Sequence, residues 1–457
     1  EEHRPPDEIA LVSTVPESST VVDGEVGEVS IVIPKPQEMK ELPPLCETTG
    51  RRKKSRALIY KYKKTPFTYY QVIALGILLL LIILICVGVE TWISGSYEEL
   101  DEKERNHSEE DERHFRELVD RVNEIDGSWK AKYNRFASRS KTDESSFSET
   151  IETIRNMIKL KNRSADEDIV MGDTLEHVRE LTRHSITLPP SFDARQKWPH
   201  CWSVHQIQNQ GGCGSCWAVA ASAVMSDRLC ISSNGRSQSL VSAQDLTSCC
   251  SACGGCEGTH WALAAFTHWK NRGVVTGGSY GSNEGCKPYE VKSSCGFPCS
   301  TSYYEKSKTP VCERKCQPLY EKSYEEDLVR ARRAYWLKVR FGAEKSEEID
   351  AVISKVIKSA NLSEVDLIRR EIYLHGPVLA CFTLMESFQH YERGIYNDSL
   401  VESDYLYGHC AKLIGWGEEK GVKYWQYANT WGRDWGEFGF FRVVNEDLPE
   451  EVVAGLI

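Results

Sequence analysis

The first 50 residues contain no phenylalanine, tyrosine or tryptophan and are rich in Glu, Pro, Val and Ser. Such a stretch has too little apolar surface to bury, so residues 1–68 are expected to form a disordered tail. A second gap is the absence of any histidine from Trp269 to Leu374, which removes imidazolium cations from that whole region. Positive charge is not in excess either: 56 Lys and Arg face 67 Asp and Glu, for a net charge of -11, which argues against nucleic acid as a partner. Long apolar runs are missing with one exception, VIALGILLLLIILICVGV from Val72 to Val89, uncharged and long enough to cross a bilayer as one helix.

Tyr69 and Tyr70 before that run and Trp92 after it suit the two membrane interfaces. A cleaved signal peptide would be shorter and nearer the N-terminus, so residues 69–93 are expected to be an anchor. RRKKSR from Arg51, then Lys61, Lys63 and Lys64, precede the span, whereas EELDEKER and EEDER follow it. The positive-inside rule then puts the tail in the cytosol, giving a single-pass type II membrane protein whose remainder is lumenal or extracellular, in the lysosome or endosome or at the cell surface. Asn106, Asn162, Asn361 and Asn397 each begin an Asn-x-Ser sequon, and all four follow the span, as glycosylation on that side requires. The chain opens with Glu rather than Met, so its native start is expected further upstream.

At 457 residues the chain has room for two or three domains. Residues 94–187 are strongly charged and include HFRELVDRVNEI and ETIETIRNMIKL, whose apolar spacing predicts amphipathic helices of a stalk or propeptide. Residues 188–457 carry the chemistry. QGGCGSCW, from Gln210 to Trp217, runs into AVAASAVMSDRLCI and sets Cys216 in the first turn of an expected helix. The helix dipole and the free amides of that turn favour a thiolate. A lone cysteine in a cysteine-rich chain is more often a disulfide partner, but His409 in YGHCAKLIGWG and Asn429 in YWQYANTWGRDWG follow roughly 190 and 210 residues later. Together they supply a base and an amide to orient it.

These blocks, with LPPSFDAR at Leu188, SDRLCI at Ser226, VSAQDLTSCC at Val241, GCKPY at Gly285, HGPV at His375 and EVVAGLI at the C-terminus, resemble the papain-like cysteine peptidases, cathepsin B-like members above all. The resemblance implies an α+β fold of two parts, a helical half carrying Cys216 and a β-barrel half carrying His409 and Asn429, with the active site in the cleft. It implies a peptidase acting on protein or peptide substrates through a thioester, with Gln210 donating to the oxyanion and Trp431 shielding Asn429. Cathepsins of this kind carry an inhibitory propeptide directly before the LPPSFDAR start, so a cut near Leu188 is expected to release a soluble enzyme.

CCSACGGC, from Cys249 to Cys256, contains two C-x-x-C steps that would suit zinc, but an oxidising lumenal compartment makes disulfides the default. By resemblance the pairs are Cys201 with Cys230, Cys213 with Cys256, Cys249 with Cys312, Cys250 with Cys253, Cys286 with Cys316, and Cys295 with Cys299. Cys216 is left unpaired, as are Cys381, read as a small core residue, and Cys410, to which no role attaches. No metal or other cofactor is expected, and oligomeric state is not indicated.

The substrate surface departs from cathepsin B. The occluding loop there carries two adjacent histidines that hold a peptide's C-terminal carboxylate, and the matching CGFPCSTSYYEKSKTPVC has none, which favours endopeptidase over exopeptidase action. The family's glycine pair reads Gly258 and Thr259, and the second side chain is expected to crowd the substrate. Glu450 or Glu451 in the shortened NEDLPEEVV block is the candidate acidic residue of the S2 pocket. Such losses also suit a catalytically silent cathepsin-like binding or matrix protein, but Cys216 and His409 are both retained.

Overall fold

The computed structural model describes residues 77–78, 80–82, 85, 109–125, 127–134, 137, 163–183, 185–259, 261–292, 307–339, 346–445 and 449–457. The chain divides into two compact units, residues 1–80 and 81–457. Most of the apolar run at 72–89 lies outside the described residues, as do Asn106, Asn162, Cys295 and Cys299. Those described within the run, Ile77, Leu78, Leu80, Leu81, Ile82 and Ile85, are helical and at least half exposed. Among the described residues no helix is long and apolar enough to cross a membrane.

The second unit begins with a helix at 109–124 (α1) and a short strand Trp129–Ala131 (β1), followed by the 21-residue helix Arg163–Arg183 (α2). After the strand Phe192–Asp193 (β2) come helices Cys216–Ser232 (α3), Ala243–Cys249 (α4) and Leu263–Asn271 (α5). Strand Arg333–Lys338 (β3) leads to helices Ser346–Ser359 (α6) and Glu364–His375 (α7). The chain ends in strands Val378–Met385 (β4), Tyr391–Tyr396 (β5), Tyr405–Glu419 (β6), Val422–Ala428 (β7), Phe440–Val444 (β8) and Glu451–Leu456 (β9).

The short residues of α3 explain its depth. CWAVAASAVMSDRLCIS is small on nearly every side, so the helix packs against β6, β4 and α4 with 14 of its 17 residues buried. The strands run in the order β1-β5-β8-β7-β6-β4-β9-β3, with β2 pairing onto β6. All pairs are antiparallel except β5 with β8. This sheet is open, which corrects the expected β-barrel. The physical reason lies at its ends: the outer edge of β3 is covered by a helix instead of a strand. The Ala334 and Trp336 amides donate to Asp173 Oδ2 and Thr174 Oγ1 of α2, each at 3.2 Å, so the edge has its partners without closure.

Disulfides join Cys201 to Cys230, Cys213 to Cys256, Cys249 to Cys312, Cys250 to Cys253 and Cys286 to Cys316. All four thiols of the CCSACGGC cluster are thereby used. A further bridge corrects the reading of Cys381 and Cys410 as unpaired. These residues face each other across β4 and β6, with Cα atoms 4.0 Å apart, and form a disulfide. Among the described residues Cys216 is the free cysteine.

Candidate active site

The turn ahead of α3 is fixed before Cys216 is reached. Gly214 passes so close to the chain at Cys256 that an added Cβ would lie 2.4 Å from the Cys256 carbonyl oxygen, to which the Gly214 amide donates at 3.0 Å. Cys213 is bonded to that same Cys256. Ser215 caps α3, and its hydroxyl meets that of Tyr289 at 2.6 Å, while Tyr289 Oη also donates to the Gln210 carbonyl at 2.9 Å. Gln210 is buried, with Nε2 donating to the Cys213 carbonyl (2.8 Å) and Oε1 accepting from Thr430 Oγ1 (2.6 Å). One Nε2 hydrogen remains for an oxyanion, and its direction is set by both amide ends.

His409 sits within β6, and Asn429 directly follows β7. The β6–β7 register, with Lys412 opposite Ala428, brings them together. Asn429 Oδ1 lies 2.8 Å from His409 Nε2 and also accepts the Thr430 amide at 2.8 Å. If the Asn429 oxygen accepts, that ring nitrogen carries the proton and Nδ1 is left basic. Nδ1 is buried and has no hydrogen-bond partner among the described residues. The Trp431 ring lies 4.8 Å from that of His409, and Phe382 meets it edge-on at 5.7 Å. The Cys216 thiol lies against the backbone of Cys410, the residue after His409.

The two sides of the site are also pinned from beneath. Lys412, three residues beyond His409, is 1 % exposed and donates to Asp227 of α3 at 2.9 Å and to the Ser203 carbonyl at 3.2 Å. A buried ion pair of this kind ties the helix of Cys216 to the strand of His409. Removing either partner would strand the other charge.

Burial governs the electrostatics. It pushes the Cys216 thiol up to about 11, against hydrogen bonds with the backbone of Cys410, Trp217 and Cys216 itself. It pushes His409 down to about 4, against the hydrogen bond with Asn429. Burial thus opposes the thiolate expected from the helix N-terminus.

The substrate-side candidates are scattered. Gly258 has φ 91° and open space where a side chain would stand. Thr259 turns its hydroxyl onto the Trp261 carbonyl at 3.1 Å. Glu450 is hydrogen-bonded to Thr383 Oγ1. Glu451 is 2 % exposed, with its oxygens accepting from the Ala262 amide and Trp336 Nε1, both at 3.0 Å. Asn361 is exposed, whereas Asn397 uses its Oδ1 to accept from the Ser399 amide and hydroxyl. Sequence reasoning did not single out Tyr289, Thr430, Asp227 or Lys412. Each sits within a block quoted above, but its partner lies on a different element, so no local signal marks it.

A buried thiol at a helix N-terminus, a histidine held by an asparagine amide, and a glutamine bonded to the threonine that follows that asparagine make up the residue set of a Cys-His-Asn cysteine hydrolase. The family profile of the papain family cysteine proteases matches residues 188–452. The cathepsin B-like cysteine proteinase of Schistosoma japonicum is 36% identical over 75% of this chain and 90% of its own length. Cathepsin B-like cysteine proteinase 1 of Ostertagia ostertagi is 42% identical over 61% of this chain and 74% of its own. A solved structure, proCathepsin B S9 from Trypanosoma congolense, is 27% identical with a TM-score of 0.49, covering 74% of this chain and 97% of that one. The chain belongs to the papain family of cysteine proteases and has cathepsin B-like homologues.

Proposed function

We propose that this protein is a cysteine endopeptidase made as a zymogen, held by a type II anchor at residues 69–93, with Cys216 as nucleophile and His409 as base. The observation that carries the reading is the His409–Asn429 contact of 2.8 Å together with the buried, unpartnered Nδ1 on the same ring. His409 takes the thiol proton, and Cys216 attacks the scissile carbonyl to form a thioester. The oxyanion is met by Gln210 Nε2 and the Cys216 amide. Losing one such donor raises the barrier by about 2.7–4 kcal/mol. His409 then protonates the leaving amine, and water hydrolyses the thioester.

Within the propeptide-like region 94–187, α1 and β1 fit a propeptide, because they pack onto the β4–β5 connection and β5. The anchor is supported by the uncharged run at 72–89 and its exposed apolar helical residues. Endopeptidase action is supported by the lack of any histidine from Trp269 to Leu374 to receive a terminal carboxylate. The test is an epoxide thiol probe and fluorogenic peptides applied to the full chain before and after acid processing. Labelling and turnover that disappear in Cys216→Ala are expected, and their absence in processed wild-type protein would refute the peptidase. Efficient release of C-terminal dipeptides would refute the endopeptidase assignment alone.

A further inference from the structure

The reaction makes no use of α2, nor of the buried charges beneath it. Thr174, His177, Val178 and Leu181 on its inner face are each 2 % exposed or less. His177 Nε2 lies 2.6 Å from Glu371 Oε2 in α7. The other Glu371 oxygen accepts from Arg228 Nη1 at 2.7 Å and from the Tyr335 hydroxyl at 2.6 Å. Arg228 belongs to α3, so the upstream helix closes a network rooted in the helix that begins at Cys216. The cation beside Glu371 is already this guanidinium, so the cluster of His177, Glu371 and His375 needs no metal ion.

A second set of contacts runs along the sheet edge. Besides capping the Ala334 and Trp336 amides, α2 takes Lys270 onto Asp173 at 2.5 Å and Arg333 onto Glu176 and Glu180. Arg370 Nη1 donates to the Leu181 carbonyl at 3.0 Å. α6, with Ile349, Ile353 and Ile357 on its buried face, packs against α2 from the other side. None of these bonds involves Cys216, His409 or Asn429, so the active site can open while α2 stays.

We propose that α2 is a permanent part of the enzyme. A cut near Leu188 leaves residues 163–183 bound as a second chain, and the catalytic domain stays tethered to everything upstream. Release from the anchor then requires another cut between β1 and α2, and the freed enzyme carries α2 with it. Loss of α2 would bare two strand amides, expose Val178 and open the Glu371–Arg228 pair to water. This rests on the proposed processing near Leu188 and replaces the expectation that one cut yields a free enzyme.

The test uses the full chain in detergent, with a recognition sequence for a site-specific protease in place of residues 184–187. A second version carries another such sequence in the stretch between β1 and α2. After cutting at pH 7, size exclusion and mass spectrometry report which fragments travel with the catalytic domain. The fragment bearing α2 is expected to co-elute in both versions, including as a short piece after the double cut. A catalytic domain eluting without it would overturn the proposal. Val178→Asp is expected to weaken retention at least tenfold, with His177→Ala as the second variant where the first fails to fold. Undiminished retention in the folded variant would show that this face is not what holds the segment. Probe labelling of Cys216 is scored separately. Retention without labelling sinks the peptidase reading alone, and labelling without retention sinks this one alone.

Discussion

The two upstream segments dock on the catalytic domain in chemically opposite ways. α1 and β1 rest on the connection between β4 and β5, where Phe115 packs against the His390 ring at 5.0 Å and the Asn134 amide donates to His390 Nδ1 at 3.1 Å. His114 contacts Glu386 at 2.8 Å, and β1 pairs with β5. α2 instead covers an ionised network. There burial alone would raise the Glu371 carboxyl, but His177 and Arg228 hold it well below the usual range. His390 is the reverse case, a neutral base pushed down to about 4 by burial. Phe388, in the connection on which the first dock rests, lies 5.8 Å from Trp431, whose ring meets that of His409 at a tilt. The second dock meets the far end of α3. The first dock thus rests on a neutral imidazole and the second on a carboxylate held ionised.

The largest expected effect comes from breaking the second dock at its centre. Glu371→Gln leaves Arg228 buried without its carboxylate and should cost about 3–5 kcal/mol, read as a fall in Tm and faster amide exchange in α2 while α1 is unchanged. Phe115→Ala should do the converse. It removes a fully packed ring for about 3–5 kcal/mol, speeds exchange over 109–131 and accelerates alkylation of Cys216, with α2 still protected.

Acid should separate the two without mutation. A base whose folded pKa is depressed stabilises the closed state above its unfolded value, and that contribution is lost as pH falls from about 6.5 toward 4. His390 and His409 each follow this sense, at roughly 3 kcal/mol apiece. For the depressed acid Glu371 the loss begins only below its unfolded value of 4.5. His375, beside Glu371, Arg228, His177 and Glu180, is also lowered by burial but is partly exposed and costs less to charge. Between pH 6.5 and 4.5, amide exchange over 109–134 should therefore rise before that over 163–183. His390→Gln should flatten the first profile. Equal profiles would erase the distinction. The smallest change expected is Arg333→Ala, below about 1 kcal/mol by thermal melting, because Glu176 and Glu180 are 59% and 44% exposed.

What could be read from the sequence was what is local. The helix starting at Cys216 follows from a glycine turn running into small, helix-favouring residues. The open sheet was not readable, because it depends on α2 lying along β3. Nor was the role of His390, an unremarkable residue until Phe115 and Asn134 arrive from more than 250 positions away. Cys381 and Cys410 carried a usable signal, each central in an apolar strand-like run, but their pairing needs the β4–β6 register, which no single strand encodes.

That bridge has a practical side. Cys410 adjoins His409 in sequence and Cys216 in space, so a covalent crosspiece stands beside the thiol that the proposed chemistry needs reduced. A reductant added to protect Cys216 is also a reagent for its neighbour. Activity measured across a thiol titration should thus be read as two overlapping responses, one from Cys216 and one from the strand pair that holds His409.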